Sequence, residues 1–450
     1  MLFLFLLFYF FFKILNKDPN NQLIYNYKLL IILNLLIIFI LCLILFKSNN
    51  LIKNILVYIS ILFFVFLYSI EYYLYINHYS PVEHHLPKKI AKNNGYNYDA
   101  RPFPKIRKDE LVNNQEEIFY VTALKKEYYE KNNFFHLAYG SFKKIHLGTE
   151  GSPGFFLSDR YGFRNNDNIW DKKLREIEYA IIGDGYSIGC CINEGTIADH
   201  IEKITKKPVL NLGVSGSGPL KKLAILREYS KILKPKNIIW LFNDSNIHYT
   251  MEEIKNPYLK KYKNKNFYYN LASKQEKIDQ AFIEANYIKI KNHNKVILTK
   301  FFKLYGLRLF LSNITPEKIK FVNNYYRYSK TKVKYSANQE ELIEYKKILI
   351  QVKNLVESWG SDLYFVYLPV YNEVLEINSL DGKFLIREQL KNLISSINIE
   401  FIDVYENKIK YLDNKKSIFP LGLNFHYNSK GYEISTIEIL KRIKDDENIN

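Results

Sequence analysis

Residues Ile181–Gly189 read Ile-Ile-Gly-Asp-Gly-Tyr-Ser-Ile-Gly. They continue the apolar run Tyr179-Ala180-Ile181-Ile182, a short stretch of the kind that forms a strand buried on both faces. Glycines at 183, 185 and 189 follow, so the chain must turn sharply where the strand ends. A buried strand feeding a glycine-bounded turn is how a parallel α/β sheet presents a site, because ligands there bind beyond the carboxyl ends of the strands.

The same pattern recurs downstream. Apolar runs at Val209–Gly213, Ile238–Phe242, Leu363–Leu368 and Phe401–Val404 read as further buried parallel strands. Helical periodicity lies between and after them, around Thr196–Ile204, Leu220–Leu233, Glu340–Trp359, Phe384–Ile397 and Lys430–Ile443. Five strands alternating with helices predict a three-layer α/β/α sandwich around a parallel sheet. Residues 247–338 break the alternation and read as a packed insertion or lid.

The N-terminal part has a different character. Lys28–Phe46 holds eighteen residues after the lysine with only Asn34 polar, and Asn54–Ile76 carries one charge, Glu71. Either is long enough for a hydrocarbon core that needs ~20 helical residues. Met1–Leu15, interrupted by Lys13, fits a short span, an interfacial helix or a degenerate signal sequence. Two or three transmembrane helices are therefore expected over 1–77, with the lipid bilayer as a partner. Residues 78–157 are expected to be linker and lead-in, starting with a stretch rich in proline and asparagine. Within it, His84 and His85 have no ligand-type residue at suitable spacing and read as a solvated pair.

The chain has 450 residues, 48% of them hydrophobic, which is ample for a large core. Its net charge of +18 comes from lysine dispersed among asparagine, isoleucine and tyrosine. It lacks an arginine stripe, zinc-finger spacing or an aromatic RNA-binding motif, so nucleic acid is not expected as a partner. The three cysteines, Cys42, Cys190 and Cys191, exclude a disulfide framework. No metal or cofactor is expected.

The turns after the strands carry the remaining signal. Gly183-Asp184-Gly185-Tyr186-Ser187-Ile188-Gly189 resembles block I of the SGNH/GDSL hydrolases, Gly-Asp-Ser-x-x-x-Gly, with Gly185 where the nucleophilic serine belongs. Asn211–Leu220 resembles block II, and Ile239–Asn246 resembles block III. Phe419–Tyr432, with His426-Tyr427-Asn428-Ser429-Lys430-Gly431-Tyr432, resembles block V. Ser158–Asp171 is similar to the segment that precedes block I in bacterial membrane-linked members, and supplies an aromatic plug of Tyr161, Phe163 and Trp170. The resemblance covers residues 158–443.

It implies a flavodoxin-like SGNH fold over 158–450 and acyl chemistry, with His426 as base, Gly216 and Asn246 as oxyanion donors, and Asp184 bonded to local backbone. Two positions depart from the pattern. Gly185 has no hydroxyl, and Leu423 replaces the acid that orients the base. Ser187 is the substitute nucleophile the sequence offers, but two helical residues are ~200° of rotation, which turns it from the cleft. Asp403, Asp413 or a backbone carbonyl could orient the imidazole. The implied function is a membrane-anchored ester hydrolase or acyltransferase acting on, or binding, acylated envelope polysaccharide or lipid. An inactive pseudoenzyme that binds or scaffolds is the alternative. The family's usual placement puts the globular part outside the cytoplasmic membrane.

Overall fold

The computed structural model describes residues 49–76, 91–93, 95, 98–99, 101, 103–120, 126–307, 336–376, 385–423 and 425–447. The chain divides into two units, Met1–Ile76 and Asn77–Asn450. In the first, helix α1 (Asn50–Ile76) contains Lys53–Leu74, 22 residues long and apolar enough to cross a membrane by length and composition. At ~1.5 Å per residue that stretch reaches about 33 Å, against a hydrocarbon thickness of about 30 Å. The predicted span Lys28–Phe46 and the apolar stretch Met1–Leu15 lie outside the described residues, as do His84 and His85.

The second unit holds two sheets. Strands β1 (Ile118–Tyr120), β2 (Lys144–Thr149) and β3 (Pro153–Leu157) form the smaller one, with β1 parallel and β3 antiparallel to β2. The larger sheet contains β4 (Tyr179–Ile182), β5 (Val209–Asn211), β6 (Asn237–Phe242), β7 (Asp362–Tyr367) and β8 (Glu400–Asp403). Its order is β5-β4-β6-β7-β8 and every pairing is parallel. In chain order this is 2-1-3-4-5, the flavodoxin-like arrangement, whose order reverses at the β4/β6 boundary. The parallel sheet and its five predicted strands are therefore present.

Alternation along each strand assigns the two faces. Ile238, Trp240 and Phe242 point to one side with Phe365 and Tyr367. They pack there against the helical run starting at α4 (Pro219–Ile225), and against α7 (Gln339–Glu357) and α8 (Leu385–Ser395). Ile239, Leu241, Tyr364 and Val366 point the other way, against α3 (Ile197–Thr205) and α9 (Ser429–Glu447). Two helices start where sequence-local capping places them: Thr196 with Asp199 and Asn338 with Glu341 each close a reciprocal box on the first free backbone N–H groups.

Part of the lead-in is folded into the unit: Phe119, Ile145 and Phe156 of the small sheet alternate into the same core as the large sheet. The aromatic plug seals the edge strand. Phe163 is fully buried against Tyr229, and Asn165 exchanges bonds with the Asn211 backbone, its Oδ1 accepting from N and its Nδ2 donating to O.

The described part of the insertion packs as well. Helix α5 (Tyr249–Lys255) and helix α6 (Gln275–Phe302) follow one another there. Phe282 of α6 meets Phe119, and Asn286 Oδ1 accepts from the Tyr120 N–H at 2.8 Å. On α5, Glu253 caps the start of α4: its carboxylate accepts from the N–H groups of Gly218, Leu220 and Lys221 at 2.7, 2.9 and 3.1 Å. Replacing Glu253 with alanine orphans buried donors at a helix start. Thermal or urea unfolding should therefore report a loss of about 2–3 kcal/mol; an unchanged midpoint would show that water replaces the cap.

Candidate active site

The turns after β4, β5 and β6 all lie at the carboxyl edge of the large sheet, on either side of the order reversal. The first one begins helix α2 (Gly185–Ile188), a single turn capped by Asp184, whose Oδ1 accepts from the Tyr186 N–H at 3.1 Å. Gly189, in the left-handed conformation (φ 71°), closes that turn and delivers Cys190 and Cys191 to the sheet edge. His426, three residues before α9, reaches the same place from the end of the chain.

Its imidazole is held by an acid the sequence did not indicate. Glu150, at the tip of the β2–β3 hairpin, accepts from His426 Nδ1 through Oε1 at 2.8 Å, and from the His426 backbone N–H through Oε2 at 2.8 Å. Using both oxygens on one residue fixes the ring's position and tilt. Nε2 then faces Gly185: a Cβ built there would stand 2.8 Å from Nε2 and 3.7 Å from Cys190 Cβ. The Cys190 side chain therefore starts beside the space that Gly185 leaves open in front of Nε2. Donor atoms of Glu150, Cys190, Cys191 and His426 all lie within 4.8 Å of one another.

Charge completes the arrangement. The thiol of Cys191 and then the charge of His426 pull Cys190 down to about 6, against the burial that opposes ionisation. Burial disfavours a charged His426, but the Cys190 thiolate and the Glu150 carboxylate outweigh it and raise its pKa well above the usual value. The Cys191 thiol is pushed up, first by the hydrogen bond it gives Cys190 and then by burial. Both shifts run in the same direction, favouring a Cys190 thiolate beside a His426 imidazolium. Iodoacetamide reacts with thiolates, so its rate of labelling Cys190 should rise with pH around a midpoint of about 6, and not near the ~8.5 of an ordinary cysteine. A midpoint at the ordinary value would deny the ion pair.

The same four residues are the one His/Cys/acid cluster among the described residues whose donor atoms could converge on a cation. With His426 Nδ1 bonded to Glu150, the nitrogen and sulfur atoms left to face a cation are His426 Nε2 and the two cysteine sulfurs.

The other residues singled out from sequence fare differently. Gly216 is exposed with φ 66° and open space where a Cβ would point, so its loop can bring an N–H to a ligand. Asn246 is fully buried and its amide is committed: Nδ2 donates to Asp184 Oδ2 at 2.7 Å, and Oδ1 accepts from Lys222 Nζ. It stabilises the loops from beneath and does not face the cleft. Asn243, which directly follows β6 and was passed over in the sequence, donates to the same Asp184 oxygen at 2.8 Å. Ser187 is fully buried with its Oγ unbonded, packed where Gly183 and Gly213 leave room, as the rotation along α2 requires. In this arrangement its hydroxyl is closed off from solvent and from any ligand. Asp403 caps the turn after β8 and faces Arg387 at 3.9 Å, and Asp413 is exposed. Neither orients His426, because Glu150 occupies both of its polar contacts.

Gly185 thus does more than lack a hydroxyl. A side chain there would press on an imidazole pinned from behind by Glu150, at a separation well below the about 3.5 Å of ordinary contact. A site lacking only its hydroxyl would gain activity on Gly185→Ser. The geometry predicts the reverse: displacement of His426, slower iodoacetamide labelling of Cys190, and no labelling by a fluorophosphonate at residue 185.

Two signals for the missed residues were present. Cys190-Cys191 directly follows the block I glycine, and Lys144–Leu157 reads as two strands around a Gly-Thr-Glu-Gly-Ser turn.

Beside Glu150 and Cys191 opens a cavity of about 690 Å³, also lined by Ile192, Asn414, Lys416 and Phe419. Its size is that of a small-molecule or acyl-group site.

No protein-family model matches the chain, and no curated protein matches it. Solved structures similar to it include a lipase/acylhydrolase from Enterococcus faecalis, 12% identical over 60% of this chain and 97% of that one, with a TM-score of 0.32. An acetylxylan esterase from Geobacillus stearothermophilus, in a catalytic mutant form, is 12% identical over 60% and 96%, also at 0.32. A GDSL-like lipase from Bacteroides thetaiotaomicron is 12% identical over 60% and 89%, at 0.29.

Proposed function

We propose that this chain is a membrane-anchored, thiol-dependent acylhydrolase or acyltransferase whose nucleophile is Cys190. The observation that carries the reading is the Glu150–His426–Cys190 array, whose donor atoms lie within 4.8 Å of one another, with Cys190 Cβ 3.7 Å from where a side chain at Gly185 would begin. In the reaction, the thiolate attacks an ester carbonyl and the carbonyl electrons move onto oxygen. The His426 imidazolium then gives its proton to the departing alkoxide, leaving a thioester on Cys190. Neutral His426 next takes a proton from water or from an acceptor alcohol, whose oxygen attacks the thioester and releases the acid or the transferred ester. Glu150 keeps the imidazole's Nε2 directed at the sulfur throughout. The exposed Gly216 loop is the candidate to donate an N–H to the developing oxyanion.

The substrate we favour is an acylated envelope glycan or lipid. The apolar helix α1 would hold the enzyme at a membrane, with the globular unit on the outer side, and the adjoining cavity mixes apolar walls with Lys416 and two asparagines. A binding or scaffolding role without turnover is favoured by one observation: the amides of Asn243 and Asn246 are both consumed by Asp184. The test is hydrolysis of p-nitrophenyl acetate and butyrate by the full-length chain in detergent, compared with Cys190→Ala, His426→Ala and Ser187→Ala. Activity lost in the first two and kept in the third supports the thiol enzyme. Inactivity of the parent towards both esters and towards acylated glycan favours the binding role.

A further inference from the structure

Cys191 forms no bond in that chemistry and acts there only through the hydrogen bond it gives Cys190, yet the fold takes trouble to place it. Side chains of adjacent residues in extended chain point to opposite faces. Here Cys191 adopts φ 67°, the left-handed region that disfavours a side chain, and this turns both sulfurs to one side. Both sulfurs face the Leu147 carbonyl of β2, at 3.8 Å from Cys190 and 3.9 Å from Cys191. They stand 2.7 Å apart as free thiols. That is already close to the ~2.05 Å of a disulfide bond.

The hairpin is cut to fit. A Cβ on Gly154 would lie 2.6 Å from the Cys191 backbone, and one on Gly148 would lie 3.2 Å from Cys191 Sγ. Two glycines of the strands flanking Glu150 therefore give the pair its room. The about 690 Å³ cavity that borders Cys191 offers an approach for a small reactant.

We propose that Cys190 and Cys191 are a peroxide-oxidisable pair that closes to a vicinal disulfide and masks the nucleophile. The Cys190 thiolate attacks one oxygen of a hydroperoxide and the O–O bond breaks. Cys190 is oxidised to the sulfenic acid, and the released alkoxide or hydroxide is protonated to alcohol or water. The Cys191 sulfur then attacks the Cys190 sulfur, forming the S–S bond and expelling the hydroxyl as water with the Cys191 proton. A dithiol reverses the step by thiol–disulfide exchange. Neighbouring Cα atoms are ~3.8 Å apart, below the ~4.4–6.8 Å usual for disulfides, so the closed form is strained and readily reduced. Cys191 thereby diverts Cys190 from the irreversible sulfinic and sulfonic acids.

Formation of the bond depends only on the two thiols. Its effect on turnover rests on the reading of Cys190 as nucleophile. The test uses the full-length chain in detergent, with Cys42→Ala to remove the third thiol, treated with hydrogen peroxide and then iodoacetamide. The expected product is a peptide bearing both cysteines that has lost two hydrogens, takes no label, and recovers labelling and ester hydrolysis with dithiothreitol. Cys191→Ala should instead gain oxygen atoms at Cys190 and lose activity irreversibly. Oxygen addition in the parent without loss of two hydrogens would overturn the proposal, as would cross-linking between chains. Disulfide formation that leaves ester hydrolysis untouched would keep the pair but remove Cys190 from catalysis.

Discussion

Replacing Cys190 with alanine is expected to lower ester turnover by about 10³-fold or more, while leaving the unfolding transition close to that of the parent. The side chain is only partly buried and its loss empties little core. Its chemical weight is much larger, because its Cβ lies 3.7 Å from where a side chain at Gly185 would begin, directly before His426 Nε2. Cys190→Ser tests the pair more sharply. A serine hydroxyl stays protonated beside the imidazolium that a thiolate would neutralise, so this variant should resemble the alanine one. Ser187→Ala, deep beneath the loops, should keep parental rates. Turnover that persists in Cys190→Ala would place the nucleophile elsewhere and end the thiol reading.

Glu150→Gln should cost roughly 10²–10⁴-fold in turnover and should also move the pH profile in a defined direction. The variant keeps the shape of the side chain and one acceptor but loses the charge. His426 is held protonated above its ordinary range by the Cys190 thiolate and the Glu150 carboxylate, against burial. Removing the carboxylate lets the imidazolium release its proton at lower pH, so the alkaline limb of kcat/KM shifts downward. The acid limb reports Cys190, and Glu150's own charge raises the Cys190 pKa. That limb should not move upward. The window in which thiolate and imidazolium coexist thus narrows from the alkaline side. A purely structural role for Glu150 would lower the amount of folded protein and leave both limbs in place.

These expectations bear on how much of the molecule could be read beforehand. Tyr179–Ile182 and its four partners were legible because strands buried on both faces must be continuously apolar and short, and their helices carry a periodicity that strands cannot. His426 was legible through its string of neighbours. Other site residues were not, for identifiable reasons. Ser187 and Asn246 have the right residue types at loop positions, but which way a side chain points depends on rotation along a single turn and on which partners claim its hydrogen bonds. Asp184 and Lys222 claim those of Asn246 from below. Asp403 and Asp413 were plausible acids by sequence distance alone, and sequence distance carries little information about contact between loops.

By itself the sequence determined a parallel sheet, and it singled out His426 and Gly185 in the turns at the sheet's carboxyl edge. Local hydrophobic patterning and turn chemistry suffice for those. Only the tertiary structure decided what surrounds those two residues. Glu150 comes from the hairpin of another sheet, 276 residues before its histidine. Cys190 comes beside Gly185 because Gly189 turns the chain in the left-handed conformation. Such convergence comes from packing between segments remote in sequence, and no local pattern records it.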